Sequence, residues 1–316
     1  MILNSFVELE ENKFPVVIFG SGPAGLSLAL ELEKKNINCL LIEAGDEFYN
    51  DESQSYFKIN TEGTNLKDIS NSRLRQFGGT SASWGGWCKP LSDLDNKKSG
   101  LNAEEIKKYQ SKTCEILGIK NSFRESSIND DFNQTEFQYS NVRFYDKYFS
   151  HIKASKNILL LLNTQLSHFE GQNKKVEKAI CIFNGKFFDV KSREFILCCG
   201  GIENSRILLW TKFKNESLLK NNFNIGNYWM THYWILGGIG FVDLKNFKLH
   251  MQNNFLDREG VIHIASKENN QNDKLQSGLY LSTNEDQNFI KEVVKSILCI
   301  APEYGKKIAN INEVKG

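Results

Sequence analysis

Proline and histidine are scarce in this sequence, with 4 and 5 among 316 residues. So few prolines exclude a proline-rich or polyproline architecture. No sign of charge dominates either: 39 Lys and Arg face 38 Asp and Glu. Such a balance provides no field that would select nucleic acid or an anionic membrane surface. No apolar run approaches the ~18 residues of a membrane-spanning helix. The longest, Trp234–Val242, is interrupted by Gly237, Gly238 and Gly240 and reads as a buried strand. At the start, Met1–Ser5 leads into Glu8, Glu10 and Glu11, the opposite of a basic secretory n-region, so no signal peptide is expected. The 7 cysteines are odd in number and form no Cys-x-x-Cys, which signals neither a disulfide framework nor a zinc ribbon. Most lie in apolar runs as small hydrophobes, and a reducing cytoplasm is the expected compartment. No histidine pair stands at i, i+4 with a carboxylate, and no Gly-x-Ser-x-Gly elbow occurs, so neither a metal site nor a hydrolase nucleophile is expected.

What is present begins with a short apolar run, Phe14–Phe19, of the kind that forms a buried parallel strand. Gly20-Ser21-Gly22-Pro23-Ala24-Gly25 follows at once, then a helical stretch to Lys35, then a second apolar run, Cys39–Ile42, ending in Glu43-Ala44-Gly45. This is one βαβ unit with a dinucleotide fingerprint. Gly20 permits the sharp strand-to-helix turn, Gly22 leaves room for a pyrophosphate, and Gly25 lets the helix pack close to the strand. The free amides and dipole at the helix start attract the phosphates. Glu43, at the end of the second strand, can accept both ribose hydroxyls and would repel a 2′-phosphate, so NADP is disfavoured.

Beyond this unit, residues 46–74 are polar and irregular. The run Arg75–Trp87 holds Gly78-Gly79, Gly85-Gly86, Trp84 and Trp87, too much glycine for a regular element. Its backbone could lie against a flat ring system, which suggests a cofactor longer than ADP-ribose. Residues 102–119 read as a helix capped by Asn102 and stopped by Gly118. The segment 120–155 reads as a polar surface insertion. Strands are expected at 158–162, along 175–190 with a turn at Asn184-Gly185, and at 194–199, where Gly200-Gly201 opens another helix. Further strands are expected near 235–242, 260–265 and 278–282, and a helix over 288–299.

Three stretches in this order resemble the glucose–methanol–choline oxidoreductases, FAD enzymes that oxidise alcohols. They are Phe19–Gly25 with Glu43–Gly45, Arg75–Gly86, and Cys199–Leu209. A fourth, Ile225–His232, is similar to the family's segment ending in Asp-His, with Thr231 in place of the acid. The resemblance implies an α/β fold: a doubly wound FAD-binding domain built from 1–100 and 155–230, an insertion at 101–154, and part of an antiparallel-sheet substrate domain over 231–316. It implies FAD held by Gly20, Ser21, Gly22, Pro23, Ala24, Gly25, Glu43 and Ala44 at its ADP half. Arg75, Gly78, Gly79, Thr80 and Ser81 would lie along the flavin and phosphates, Leu166 would meet the adenine through its backbone, and Gly200 would close the site. Ser83 stands where some members carry a histidine bonded to the flavin, so the FAD is expected to be non-covalent. The implied substrate is an alcohol or sugar, oxidised at a CH–OH group. The family's catalytic histidine belongs to a C-terminal part not seen before Gly316, so no catalytic residue is assigned. Alternative readings are a flavin-binding subunit completed by a partner chain, or an NAD-binding protein.

Overall fold

A computed structural model of the chain describes residues 14–62, 69–91, 100–127, 132–135, 137–220, 224–230, 261–266 and 278–282. The expected strand at 235–242, the helix over 288–299, Thr231 and His232 lie outside the described residues. The chain divides into two compact units, one of 1–87, 112–119 and 139–235, the other of 88–111, 120–138 and 236–316.

In the first unit, β1 (Val16–Phe19), β2 (Cys39–Ile42), β3 (Ile158–Leu161) and β7 (Glu194–Leu197) form a parallel sheet in the order β7-β1-β2-β3. Helix α1 (Pro23–Lys34) makes the crossover from β1 to β2. All residues of β1, β2 and β3 are buried, as expected for parallel strands covered on both faces. Their alternation divides the core in two. Val17, Phe19, Leu40, Ile42, Leu159 and Leu161 face one cluster, while Val16, Ile18, Cys39, Leu41, Ile158 and Leu160 face the other.

The connection from β3 to β7 is an antiparallel meander, β4 (Thr164–Gln172), β5 (Lys175–Phe183) and β6 (Lys186–Lys191). Asn184 and Gly185, both at positive φ, make the β5–β6 turn where it was expected. Leu166, Phe169, Ala179, Cys181 and Val190 join the meander to the first core cluster, together with Ile207 of the helix after β7.

The segment 101–154, read from the sequence as an insertion, is divided between the two units, with 112–119 and 139–154 in the first and 101–111 and 120–138 in the second. Ala103–Leu117 is a helix, with Asn102 Oδ1 accepting from the amides of Glu104 and Glu105. A further helix, Phe144–Ala154, buries Phe144, Phe149 and Ile152 in the second core cluster beside Leu26 and Ala29 of α1. What reads as scattered aromatics is a helical stripe. In the second unit, Glu125–Ser127 and Phe132–Thr135 pair antiparallel, and Phe132–Thr135 also pairs with Val261–Ser266, which pairs with Gly278–Ser282. The antiparallel sheet therefore draws strands from the middle of the chain as well as from its C-terminal part.

The end of α1 is fastened to the helix at 144–154 by polar contacts. Glu33 Oε2 lies 2.6 Å from His151 Nε2, and Ser155 Oγ donates to Glu33 Oε1. Partial burial pushes the Glu33 carboxyl up, but the bonds from Ser155 and His151 outweigh it and leave the group below the usual carboxylate range. A depressed carboxyl stabilises the fold above its unfolded pKa and loses that contribution as pH falls through the folded one. Glu33→Gln should therefore lower the melting temperature near neutral pH and have a shrinking effect in acid; a gap that widens in acid would contradict this.

Candidate functional site

The strand order reverses at β1, with β2 leading to one side and β7 to the other. In such sheets the crevice at the carboxyl ends of the strands is the place for a ligand. A cavity of about 790 Å³ lies there, bounded by Phe19 and Gly20 at the end of β1, Ile42 and Glu43 at the end of β2, and Leu197 to Gly200 at the end of β7. That volume lies within the ordinary range for small-molecule sites.

The glycine turn is built on close approach. Gly20 has φ +99°, and a Cβ at Gly25 would lie 1.9 Å from Gly20 O. Only glycine at 25 lets α1 start this close to β1. Gly22 differs: a Cβ there would meet nothing within 4 Å, and the residue lines the cavity. Gly22 is also the N-cap of α1, with no side-chain cap and Pro23 in the first turn, so the helix presents free amides.

Glu43 is buried and already committed. Its Oε2 accepts from Ser21 N–H and Ser21 Oγ–H, at 2.9 and 2.7 Å, and its Oε1 accepts from Gly45 N–H at 2.8 Å. The carboxylate thus ties the turn after β1 to the end of β2 before any ligand binds. An ionised carboxylate has about four lone-pair sites, which leaves acceptor capacity where Glu43 lines the cavity. Glu43→Gln would put an amide NH₂ against one of these donors. We expect a loss of roughly 1–3 kcal/mol in folding stability along with weaker cofactor binding; an unchanged melting curve would contradict the structural half of this role.

The Arg75–Ser81 run folds as a bridge at Gln76, a turn, and a 3₁₀ turn over Gly79–Ala82. Gly78 N–H donates to Ser21 O at 3.1 Å, and Gly79 comes so near the glycine turn that a Cβ would lie 3.1 Å from Gly22 Cα. Ser81 is buried: it donates to Gly78 O at 2.7 Å and accepts from Phe144 N–H at 3.2 Å. Arg75 donates to Ser53 and to Gln165 Oε1, and lies 4.9 Å over the Tyr56 ring. Burial pulls its guanidinium below the ordinary value, opposed by the charge of Glu43.

The structure thus brings Gly20, Gly22, Pro23, Ala24, Glu43, Ala44, Arg75, Gly79, Thr80, Leu166 and Gly200 to one cavity. Ser21, Gly25, Gly78 and Ser81 stand behind its wall, shaping it. Cys198 and Cys199 also line it, and burial pushes both thiols up, away from the thiolate form. Arg73, Arg206 and Glu203 line it as well and did not emerge from the sequence. A wider depression of about 1030 Å³ adjoins the cavity and shares Gly201, Ile202, Arg206 and Trp229 with it. Exposed Phe213, Tyr228 and Met230 form its rim, and it gathers none of the glycine-turn chemistry. Among the described residues there is no cluster of three or more metal-ligating side chains, and no helix is long and apolar enough to cross a membrane.

An FAD binding domain family matches residues 13–59, which span β1, the glycine turn, α1, β2 and Glu43. No curated protein matches the chain. Among solved structures, pyridoxine 4-oxidase from Mesorbium loti is similar at 15% identity with a TM-score of 0.42, over 63% of this chain and 51% of that one. The chain thus spans about half the length of that protein. The cavity fits the cofactor that the family match names: Gly22 leaves open space at a helix start, and Glu43 offers a carboxylate at the end of β2. Residues 13–59 carry an FAD-binding segment, and FAD is the cofactor of this chain.

Proposed function

We propose that the chain is an FAD-dependent oxidoreductase of the glucose–methanol–choline type, acting on the CH–OH group of an alcohol or sugar. The observation that supports this reading is the convergence on one cavity of three of the stretches that carry the resemblance: the glycine turn with Glu43, the run holding Arg75, Gly79 and Thr80, and the segment at Gly200. Bound FAD supplies the hydride acceptor, its N5, for oxidation of such a donor.

The chain's own residues bind and orient. The open N-terminus of α1 at Gly22 takes the diphosphate, and Glu43 takes the ribose. Thr164 to Leu166 take the adenine end, with Arg75 held beside them through Gln165. The Gly78–Ser81 turn, braced on Ser21 and Phe144, carries the flavin side of the site. The side chains of His151 and His168 lie against Glu33 and Glu170, and neither lines the cavity. Neither is therefore assigned the substrate proton. His232 and His250 lie outside the described residues, as does the side chain of His263.

The deciding experiment is to load the purified protein with FAD, exclude oxygen, and mix it with a panel of primary alcohols and sugars. Loss of the yellow flavin band is the expected result with at least one of them. A protein that takes up FAD but keeps its colour with the whole panel would refute the CH–OH reading. The FAD should also be released: Ser83 is exposed and has no ring nitrogen to bond a flavin. Acid precipitation should leave the yellow colour in solution; colour retained in the pellet would show a covalent link.

A further inference from the structure

Arg73 lines the cavity two residues before Arg75. Its side chain is 14% exposed and lies 4.2 Å over the Phe57 ring. One terminal nitrogen donates to Glu203 Oε1 at 2.6 Å and the other to Phe57 O at 3.3 Å. Its Nε is buried and has no partner among the described residues. A buried donor without an acceptor costs about 1–3 kcal/mol, and native structures keep few of them. The orphan donor thus belongs to a side chain that the protein has placed but not fully satisfied.

Charge explains the placement. The charged residues lining the cavity are Arg73, Arg75 and Arg206 against Glu43 and Glu203, an excess of one positive charge. Glu203 is shared, since Arg206 Nε donates to its Oε2 at 2.7 Å. Two helices also begin at the cavity without side-chain caps: α1 at Pro23 and the helix Gly200–Lys214 that follows β7. Each helix start adds about half a positive charge, so the cavity carries about two, the complement of a doubly negative diphosphate. The chain leads Arg73 to the right region. Leu74 N–H donates to Thr80 Oγ1 at 3.2 Å, and the adjacent Gly79 abuts Gly22.

We propose that Arg73 is a further cofactor-binding residue that pairs with the FAD diphosphate, and that Glu203 is the positioning residue holding its guanidinium at the cavity wall. This rests on the FAD reading of the same cavity. It makes the diphosphate, more than either ring system, the feature that Arg73 recognises.

The test is calorimetric titration of the full chain with FAD, ADP and adenosine, at low and high salt. Arg73→Gln should weaken FAD and ADP by roughly 10- to 100-fold, flatten their salt dependence, and leave adenosine unchanged. Equal weakening of all three ligands would assign Arg73 a merely structural role and overturn the proposal. Unchanged ADP and FAD affinity would overturn it as well, with the FAD reading intact. A wild-type chain that binds neither FAD nor ADP would overturn both readings. Should Arg73→Gln fail to fold, Arg73→Lys carries the test. It keeps the charge but loses the planar fork, and should weaken ADP several-fold with adenosine unchanged; parallel changes in both, or none, would sink the proposal.

Discussion

Gly22→Val should yield a folded protein that no longer binds FAD. The backbone at this position has φ −69° and ψ −178°, an extended conformation open to any residue. A Cβ there meets no atom within 4 Å, so a side chain at this position starts into open space. It would fill cavity space at the start of α1, where the amides and dipole draw the diphosphate. Valine is a poorer N-cap than glycine, which costs about 1 kcal/mol or less. We therefore expect FAD affinity to fall by more than roughly 100-fold, the loss of about 3 kcal/mol or more of contact, while the melting temperature moves by only a few degrees. Titration of the variant by quenching of flavin fluorescence checks the first part, and circular dichroism checks the second. Wild-type affinity in the variant would place the diphosphate elsewhere and remove the ground for assigning this cavity to FAD.

The parts of this site that could be read from the sequence are those fixed by local physics. Buried parallel strands announce themselves as apolar runs, and β1, β2 and β3 fall inside the runs at 14–19, 39–42 and 158–162. The glycine turn is legible because each glycine answers a separate steric demand within six residues. The Asn184-Gly185 hairpin is legible for the same reason. The helix at 144–154 was not. It buries Phe144, Phe149 and Ile152 while exposing lysine and aspartate between them, and without its neighbours that stripe looks like loop composition. The strands at 125–127 and 132–135 carry almost no apolar alternation; they pair with each other, and only Phe132–Thr135 pairs onward with the distant strand at 261–266. Such long-range pairing leaves no local trace. Arg73 was missed on the same grounds, since its partner Glu203 lies 130 residues away. The position of Glu43 after the second apolar run speaks of the ligand alone; its bonds to Ser21 and Gly45 show that the same carboxylate also holds the two strand ends in place.

Three residues beyond Gly22, the opposite outcome is expected. Gly25→Ala should cost the fold itself. A methyl group at this position would lie 1.9 Å from Gly20 O, 3.1 Å from Gly20 C and 3.3 Å from Cys198 Cβ. The nearest of these atoms are backbone, fixed by the sheet: Gly20 N–H donates to Ile42 O at 2.8 Å, and Cys198 N–H donates to Phe19 O at 2.7 Å. Neither can yield without breaking the bonds that close β1 between its neighbours, so α1 must move off the sheet. Leu26 and Ala29, both fully buried against β1 and β2, would move with it. Overpacking of a core costs about 1–3 kcal/mol where side chains can adjust. Here the obstacle is main chain, and we expect about 3 kcal/mol or more, a large share of the ~5–15 kcal/mol that stabilises a typical domain. Thermal or urea unfolding of Gly25→Ala beside Gly22→Val makes the comparison direct. If Gly25→Ala melts with the wild type, the close approach of α1 to β1 does not exist in solution, and the open geometry at Gly22, which depends on the same helix start, falls with it.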